Sequence, residues 1–258
     1  MSNKKLYKGE RNLSEFKVIY YMTIACPTVE RTLEMVDKYV KNGVKSIQID
    51  MPSTNPFAET DFVKKMMGDT LKDGLNYDKY MDAVREIRRK HPDVELHLMS
   101  YPDVVESIGL KRYADFAKEI GVVSLMLCGD MPQERAYFYE RGLLCSGHVE
   151  FTMPEEQVAR ACDPAQKYSL VTMRNARVGQ QPRPGLETWK ARVRYMREER
   201  KCPYPLYAVG GILNPEMLRE AKEAGVVGAY LGNVLMWNWD NEEKLFAMIR
   251  GFEEVAAQ

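Results

Sequence analysis

The chain has 258 residues, long for an average domain but the usual size of an α/β barrel closed around one core. Lysine plus arginine and aspartate plus glutamate both number 37, so the formal net charge is zero and nothing favours a polyanionic partner such as nucleic acid. The five cysteines (Cys26, Cys128, Cys145, Cys162, Cys202) are odd in number and form no CxxC pair, which argues against a disulfide framework or a structural zinc site. Free thiols in a cytoplasmic protein are the expectation. Residues Met1 to Glu15 are polar and charged and lack the apolar stretch of an export signal or membrane span, so no membrane contact is expected.

In chain order, an N-terminal extension over residues 1–16, a short helix or arm, precedes eight short apolar or β-branched runs. The runs are Lys17 to Ile24, Lys45 to Asp50, Val94 to Met99, Val122 to Leu127, Leu144 to Phe151, Tyr168 to Thr172, Leu206 to Val209 and Val227 to Leu231. Amphipathic stretches separate them. The first carries Val29, Leu33, Val36 and Val40 at steps of four, three and four behind a cap residue, Thr28. Glycines such as Gly43 and Gly121 close the helical patterns shortly before the next strand, where a helix end takes positive φ. Alternation of this kind predicts repeated βα units and a parallel sheet: a single (β/α)8 barrel spanning residues 1–258. The basic runs Arg85 to Lys90 and Arg192 to Arg200 fall on outer helices and are expected to be solvated faces.

Two segments near the C-terminus carry chemistry. AVGGILNPE (Ala208 to Glu216) and GAYLGNVL (Gly228 to Leu235) each place glycine at a strand end before a helix start, where free N–H groups and close backbone approach favour an anion. Loops after the last two strands of such barrels often hold phosphate. Gly179 and Arg174, after the sixth strand, extend the same end, so a phosphorylated small molecule is the expected ligand.

The segments YYMTIACPTVERTLEMV, IQIDMPSTNPFAETD, CGDMPQE and MRNARVG, with Gly211 and Gly232-Asn233, stand in the order and spacing of another set of motifs. From about Tyr20 to Glu254 the chain resembles the α subunit of tryptophan synthase, a lyase that splits indole-3-glycerol phosphate into indole and glyceraldehyde 3-phosphate. The resemblance implies that Gly179, Gly211, Gly232, Asn233 and Arg174 bind phosphate in a cofactor-free lyase, and with no His/carboxylate cluster at ligand spacing no metal is expected. It also implies a strand-two glutamate and a loop aspartate as the proton-transfer pair, and Gln48 and Glu59 occupy those positions. Glutamine cannot exchange a proton in the working pH range. Asp50, two residues along on the same strand face, stands where the family has glycine, and so the expected catalytic set is Asp50, Glu59 and Gln48.

Inward positions assigned by strand alternation give a pocket of Tyr21, Ser100, Leu127, Asp130 and Phe151, with Ser100 in place of a family tyrosine. The same parity points His97 and His148 away from the barrel interior, and His91 lies at a helix end. Three functions remain open. One is an aldolase-like carbon–carbon lyase on a glycerol-phosphate-tailed substrate other than indole-3-glycerol phosphate. The others are a divergent indole-releasing α subunit and a non-catalytic phosphometabolite-binding partner. A β-type partner subunit is implied by the family but disfavoured here, because Asn55 and Tyr101-Pro102 alter the strand-two and strand-three loops through which that partner binds.

Overall fold

Strands and helices alternate along the computed structural model, which describes residues 15–72, 74–176 and 179–258. All but the last two residues of the expected N-terminal extension lie outside that range. The elements in order are β1 (Lys17–Thr23), α1 (Val29–Lys41), β2 (Ser46–Asp50), α2 (Asp61–Leu71), α3 (Tyr77–Lys90), β3 (Glu95–Ser100), α4 (Pro102–Ile108), α5 (Leu110–Glu119) and β4 (Ser124–Leu127). They continue as α6 (Pro132–Glu140), β5 (Gly147–Val149), α7 (Glu155–Cys162), β6 (Val171–Arg174), α8 (Trp189–Arg194), β7 (Leu206–Val209), α9 (Pro215–Glu223), β8 (Gly228–Leu231), α10 (Asn233–Met236) and α11 (Glu242–Ala257). All eight strands fall within or beside the runs expected from sequence.

The strands pair in parallel in the order β4-β3-β2-β1-β8-β7-β6-β5. The remaining seam between β4 and β5 is closed by a bridge from Leu125 to Cys145. There the Leu125 amide donates to Leu144 O at 2.9 Å and the Ser146 amide to Leu125 O at 2.8 Å. The sheet is therefore a closed (β/α)8 barrel without free edges. Among the described residues no helix is long and apolar enough to cross a membrane.

Local sequence explains the helix starts. Thr28 caps α1, its hydroxyl accepting from the Arg31 amide at 3.1 Å, and Val29, Met35, Val36 and Tyr39 bury the stripe against the sheet. Gly43 and Gly121 take φ of 94° and 63° at the helix ends that precede β2 and β4, a region closed to most side chains.

Two apolar clusters divide the interior. The larger fills the layer between strands and helices and reaches the barrel mouth at Tyr21, and the smaller, built on Ile19, Leu170, Tyr207 and Tyr230, lies in the barrel lumen. Ile47, Ile49, Leu96, Leu98, Val149, Val171 and Met173 all belong to the outer layer. Successive strand residues face opposite ways, so Gln48, Asp50, His97, His148, Thr172 and Arg174 point into the lumen.

Candidate active site

Asp50 ends β2 and is wholly buried at the lumen side of the barrel mouth. The Tyr21 hydroxyl donates to its Oδ2 at 3.0 Å and lies 3.0 Å from Thr23 Oγ1, so two lumen residues of β1 fix the carboxyl. Its Oδ1 has no hydrogen-bond partner among the described residues. Burial, then the charge of Glu59, drive the Asp50 pKa well above the ordinary aspartate value, against the smaller opposite pull of the Tyr21 hydroxyl and the Met51 amide. Burial thus favours the protonated form of Asp50 over its carboxylate. Gln48, one layer deeper, is buried and donates only a weak 3.6 Å contact to Met126 Sδ.

Glu59 reaches the same space from the loop that follows β2. Tyr101, fully buried, donates to Glu59 Oε1 at 3.3 Å and packs edge-on against Phe57 with ring centroids 5.3 Å apart. Asp103 clamps the loop: Ser53 Oγ donates to its Oδ1, and the Thr54 amide and hydroxyl donate to its Oδ2, each at 2.7 Å. Tyr77 adds a bond to Pro52 O at 2.9 Å. The side chain of Asn233, at the start of α10, donates to Thr60 Oγ1 at 2.6 Å and ties the strand-two loop to the end of β8. Cys128 lies among these acids, and burial pushes its thiol up, the state of an un-ionised thiol rather than a nucleophile.

The expected phosphate residues gather at the ends of β6, β7 and β8. Gly210 and Gly211 take φ of 69° and 66°, and a Cβ on Gly211 would stand 3.2 Å from Asn175 Cβ and 3.3 Å from Ala176 O. Only glycine lets those two loops approach so closely. Gly232 borders open space at the start of α10. Gly179 has φ of 82°, while its neighbours Arg177 and Val178 lie outside the described residues. Arg174 turns inward, its Nε 3.5 Å from Glu150 Oε2 and its guanidinium above Gly210.

Several expected placements are corrected. Ser100 faces the helices, 2.6 Å from the Tyr113 hydroxyl of α5, and Leu127 packs against the outer apolar layer. Phe151 stacks under the Arg192 guanidinium of α8 at 4.8 Å from its ring centroid. Asp130 is exposed and paired with Arg135 and Arg160 at 3.5 and 3.3 Å. None of these four lines the lumen. His97 and His148, expected outside, face inward: His97 Nδ1 lies 3.1 Å from the Tyr230 hydroxyl across the barrel, and His148 Nδ1 lies 2.9 Å from Thr172 Oγ1. The expectation had turned the apolar residues of β3 and β5 inward, whereas in this barrel they meet the helices. His91, at the end of α3, pairs with Asp37 at 2.6 Å as a helix-end residue would.

Arg192 also departs from the solvated face expected of its run. It is 1% exposed, sandwiched between Trp189 and Phe151, and donates to Arg174 O at 2.8 Å, with burial lowering its pKa to about 10. Sequence reading also passed over Asp103 and Glu150, and took Tyr101 only as a change in the strand-three loop. Asp103 offered a signal, since an acid in the first turn after Pro102 is placed to cap neighbouring amides.

Known proteins share this organisation. The sequence profile described as tryptophan synthase alpha chain matches residues 8–244. Similar curated relatives include the tryptophan synthase alpha chain of Citrobacter koseri, 22% identical over 237 residues that cover 90% of this chain and 87% of that one. That of Vibrio vulnificus is 23% identical over 220 residues, 84% of this chain and 81% of that one. Among solved structures, tryptophan synthase subunit alpha from Legionella pneumophila superposes with a TM-score of 0.77 at 20% identity, covering 94% and 93% of the two chains. A chain of the tryptophan synthase complex from Pyrococcus furiosus gives 0.76 at 18% identity, covering 93% and 98%. With the closed barrel in place and the profile matched along nearly its whole length, this chain belongs to the tryptophan synthase alpha chain family.

Proposed function

We propose that the chain is a carbon–carbon lyase of retro-aldol type, acting in either direction on a small substrate with a glycerol-phosphate-like tail, and that the substrate is not indole-3-glycerol phosphate. One observation carries this reading: a wholly buried Asp50, its pKa raised by burial and its Oδ1 without a hydrogen-bond partner among the described residues, beside a second carboxyl group on Glu59. A buried carboxyl that favours its proton, next to a second carboxyl carried by a loop, is an arrangement suited to acid–base catalysis. In the cleavage direction the Glu59 carboxylate takes the proton of the tail hydroxyl next to the scissile bond. The bond electrons pass to the other half as the hydroxyl carbon becomes an aldehyde, and Asp50 supplies the proton that completes the released half. Both steps use carboxyl groups alone, so the reading needs no cofactor.

The glycines at the ends of β7 and β8 and Gly179, with Asn233 and Arg174, are the proposed phosphate seat, and Tyr21 holds the acid. Anchoring the tail there spends binding energy remote from the bond that breaks. A second reading, cleavage of indole-3-glycerol phosphate itself, draws on the family match over residues 8–244. The test is indole release by the purified chain and by Asp50→Asn. Absence of indole from the parent favours a changed substrate, and rapid release that survives Asp50→Asn overturns both the substrate assignment and the role of Asp50.

A solved relative is titled as the α2β2 complex of tryptophan synthase from Pyrococcus furiosus. For this chain a β-type partner is left out of the proposed catalytic unit. The strand-two loop, with Asn55, is already tied inside the chain by Asp103 and Asn233. Co-elution with a tryptophan synthase β chain at micromolar concentration would contradict that.

A further inference from the structure

The lumen wall formed by β5 and β6 carries a polar network that the proposed proton steps do not use. His148 Nδ1 lies 2.9 Å from Thr172 Oγ1, whose hydroxyl is 3.1 Å from Gly147 O. His148 Nε2 lies 3.2 Å from Glu150 Oε1, and Glu150 Oε2 lies 3.5 Å from Arg174 Nε. The chain of contacts thus runs Thr172–His148–Glu150–Arg174 up the wall toward the mouth. An ionised carboxylate only accepts, so Nε2 carries a proton while Glu150 is charged. The His148 and Glu150 side chains are each 32% exposed and that of Arg174 is 16% exposed, although all three are inward on their strands. Their open parts therefore face the barrel mouth.

In the eight-strand ring β5 lies opposite β1 and three strands from β8. A ligand anchored by phosphate at the ends of β7 and β8, with its scissile bond at Asp50, turns its other half toward the wall that β5 completes. We infer that His148, Glu150 and Thr172 form a head-group subsite that selects a compact, polar head, a nitrogen heterocycle or amide with both a donor and an acceptor, over a bare aromatic face. This rests on the phosphate-tailed substrate proposed above and names the class of its other half. An aryl head laid on the network would strip water from a histidine, a carboxylate and a guanidinium and return no hydrogen bonds, and an indole would return only the one its N–H donates, with no acceptor to match. Sites built to hydrogen-bond a substrate reject analogues that cannot do so far more strongly than apolar pockets reject a missing methylene.

Calorimetry with three probes tests this: glycerol 3-phosphate for the tail, and 3-(imidazol-4-yl)propyl phosphate and 3-(indol-3-yl)propyl phosphate for the head. The parent should bind the imidazolyl probe at least about tenfold more tightly than the indolyl probe. The isosteric Glu150→Gln should erase most of that preference and His148→Phe reverse it, with glycerol 3-phosphate affinity unchanged in His148→Phe. Equal binding of the two heads, a preference for indole, or a preference untouched by Glu150→Gln overturns the subsite. Free imidazole, followed through the ring signals of the three histidines by NMR, separates the two readings. If no phosphate probe binds yet imidazole shifts His148 and not His91, the phosphate seat falls and the subsite stands. If no phosphate probe binds and imidazole leaves His148 unmoved, both fall.

Discussion

Replacing Asp50 by asparagine should make the protein more stable near neutral pH. Asparagine keeps the carbonyl oxygen that accepts from Tyr21 and puts an N–H where the acid carries its proton. The sign follows from linkage. The folded state holds the Asp50 proton to a higher pH than the unfolded chain does, so the stability this proton contributes is present below the unfolded pKa of about 4 and is lost as pH rises. One proton gives a slope of about 1.4 kcal/mol per pH unit. The stability difference between Asp50→Asn and the parent should therefore grow by about 1.4 kcal/mol for each unit above about pH 4. It should level off where the folded carboxyl itself ionises. Urea unfolding of both proteins from pH 4.5 to 8 measures it, and surface ion pairs common to the two cancel. A difference that stays flat across this range would mean that Asp50 ionises as readily folded as unfolded, and the neutral-acid role would be lost with it.

Gln48→Glu adds a second inward carboxyl one layer below Asp50, next to Met126 Sδ, and should cost roughly 1 to 3 kcal/mol in urea unfolding while leaving indole release from indole-3-glycerol phosphate at the parent's level. Gly211→Ala forces a Cβ to within 3.2 Å of Asn175 at φ of 66°; glycerol 3-phosphate should bind at least about tenfold more weakly by calorimetry, with the circular dichroism spectrum unchanged. Asp103→Ala removes the acceptor of three bonds from Ser53 and Thr54, and limited proteolysis should cut between residues 53 and 60 well before any site in the parent. Thr28→Ala loses the cap of α1 and should cost about 1 kcal/mol, a fall of about 2 to 4 °C in Tm by calorimetric scan.

The eight strands were legible because each apolar run is short, bounded by glycine or charge, and followed by a stripe at helical spacing. Local periodicity is written in consecutive residues. The pairing of Gln48 with Asp50 on one face was legible too, because Ile47 and Ile49 leave no doubt about which residues of β2 share a side. On β3 and β5 the same rule gave the inverse answer. Leu96 and Leu98 alternate with His97, and Val149 with His148, but both faces of a barrel strand are buried and alternation does not say which face is the lumen. Hydrophobicity pointed the leucines inward, whereas the amphipathic helices claim the apolar side and the lumen takes the histidines.

From sequence alone came the barrel, the glycine-rich ends of β7 and β8, and the placing of Gln48 and Asp50 on one face of β2; all three depend on the order of residues along single elements. Tertiary structure decided what lies across the lumen from them: Tyr21 on Asp50, Tyr101 on Glu59, Asp103 on the strand-two loop, and Thr172 and Arg174 about His148 and Glu150. Those contacts join residues far apart in the chain. They are set by ring closure and by the parity of each strand, which no local pattern carries.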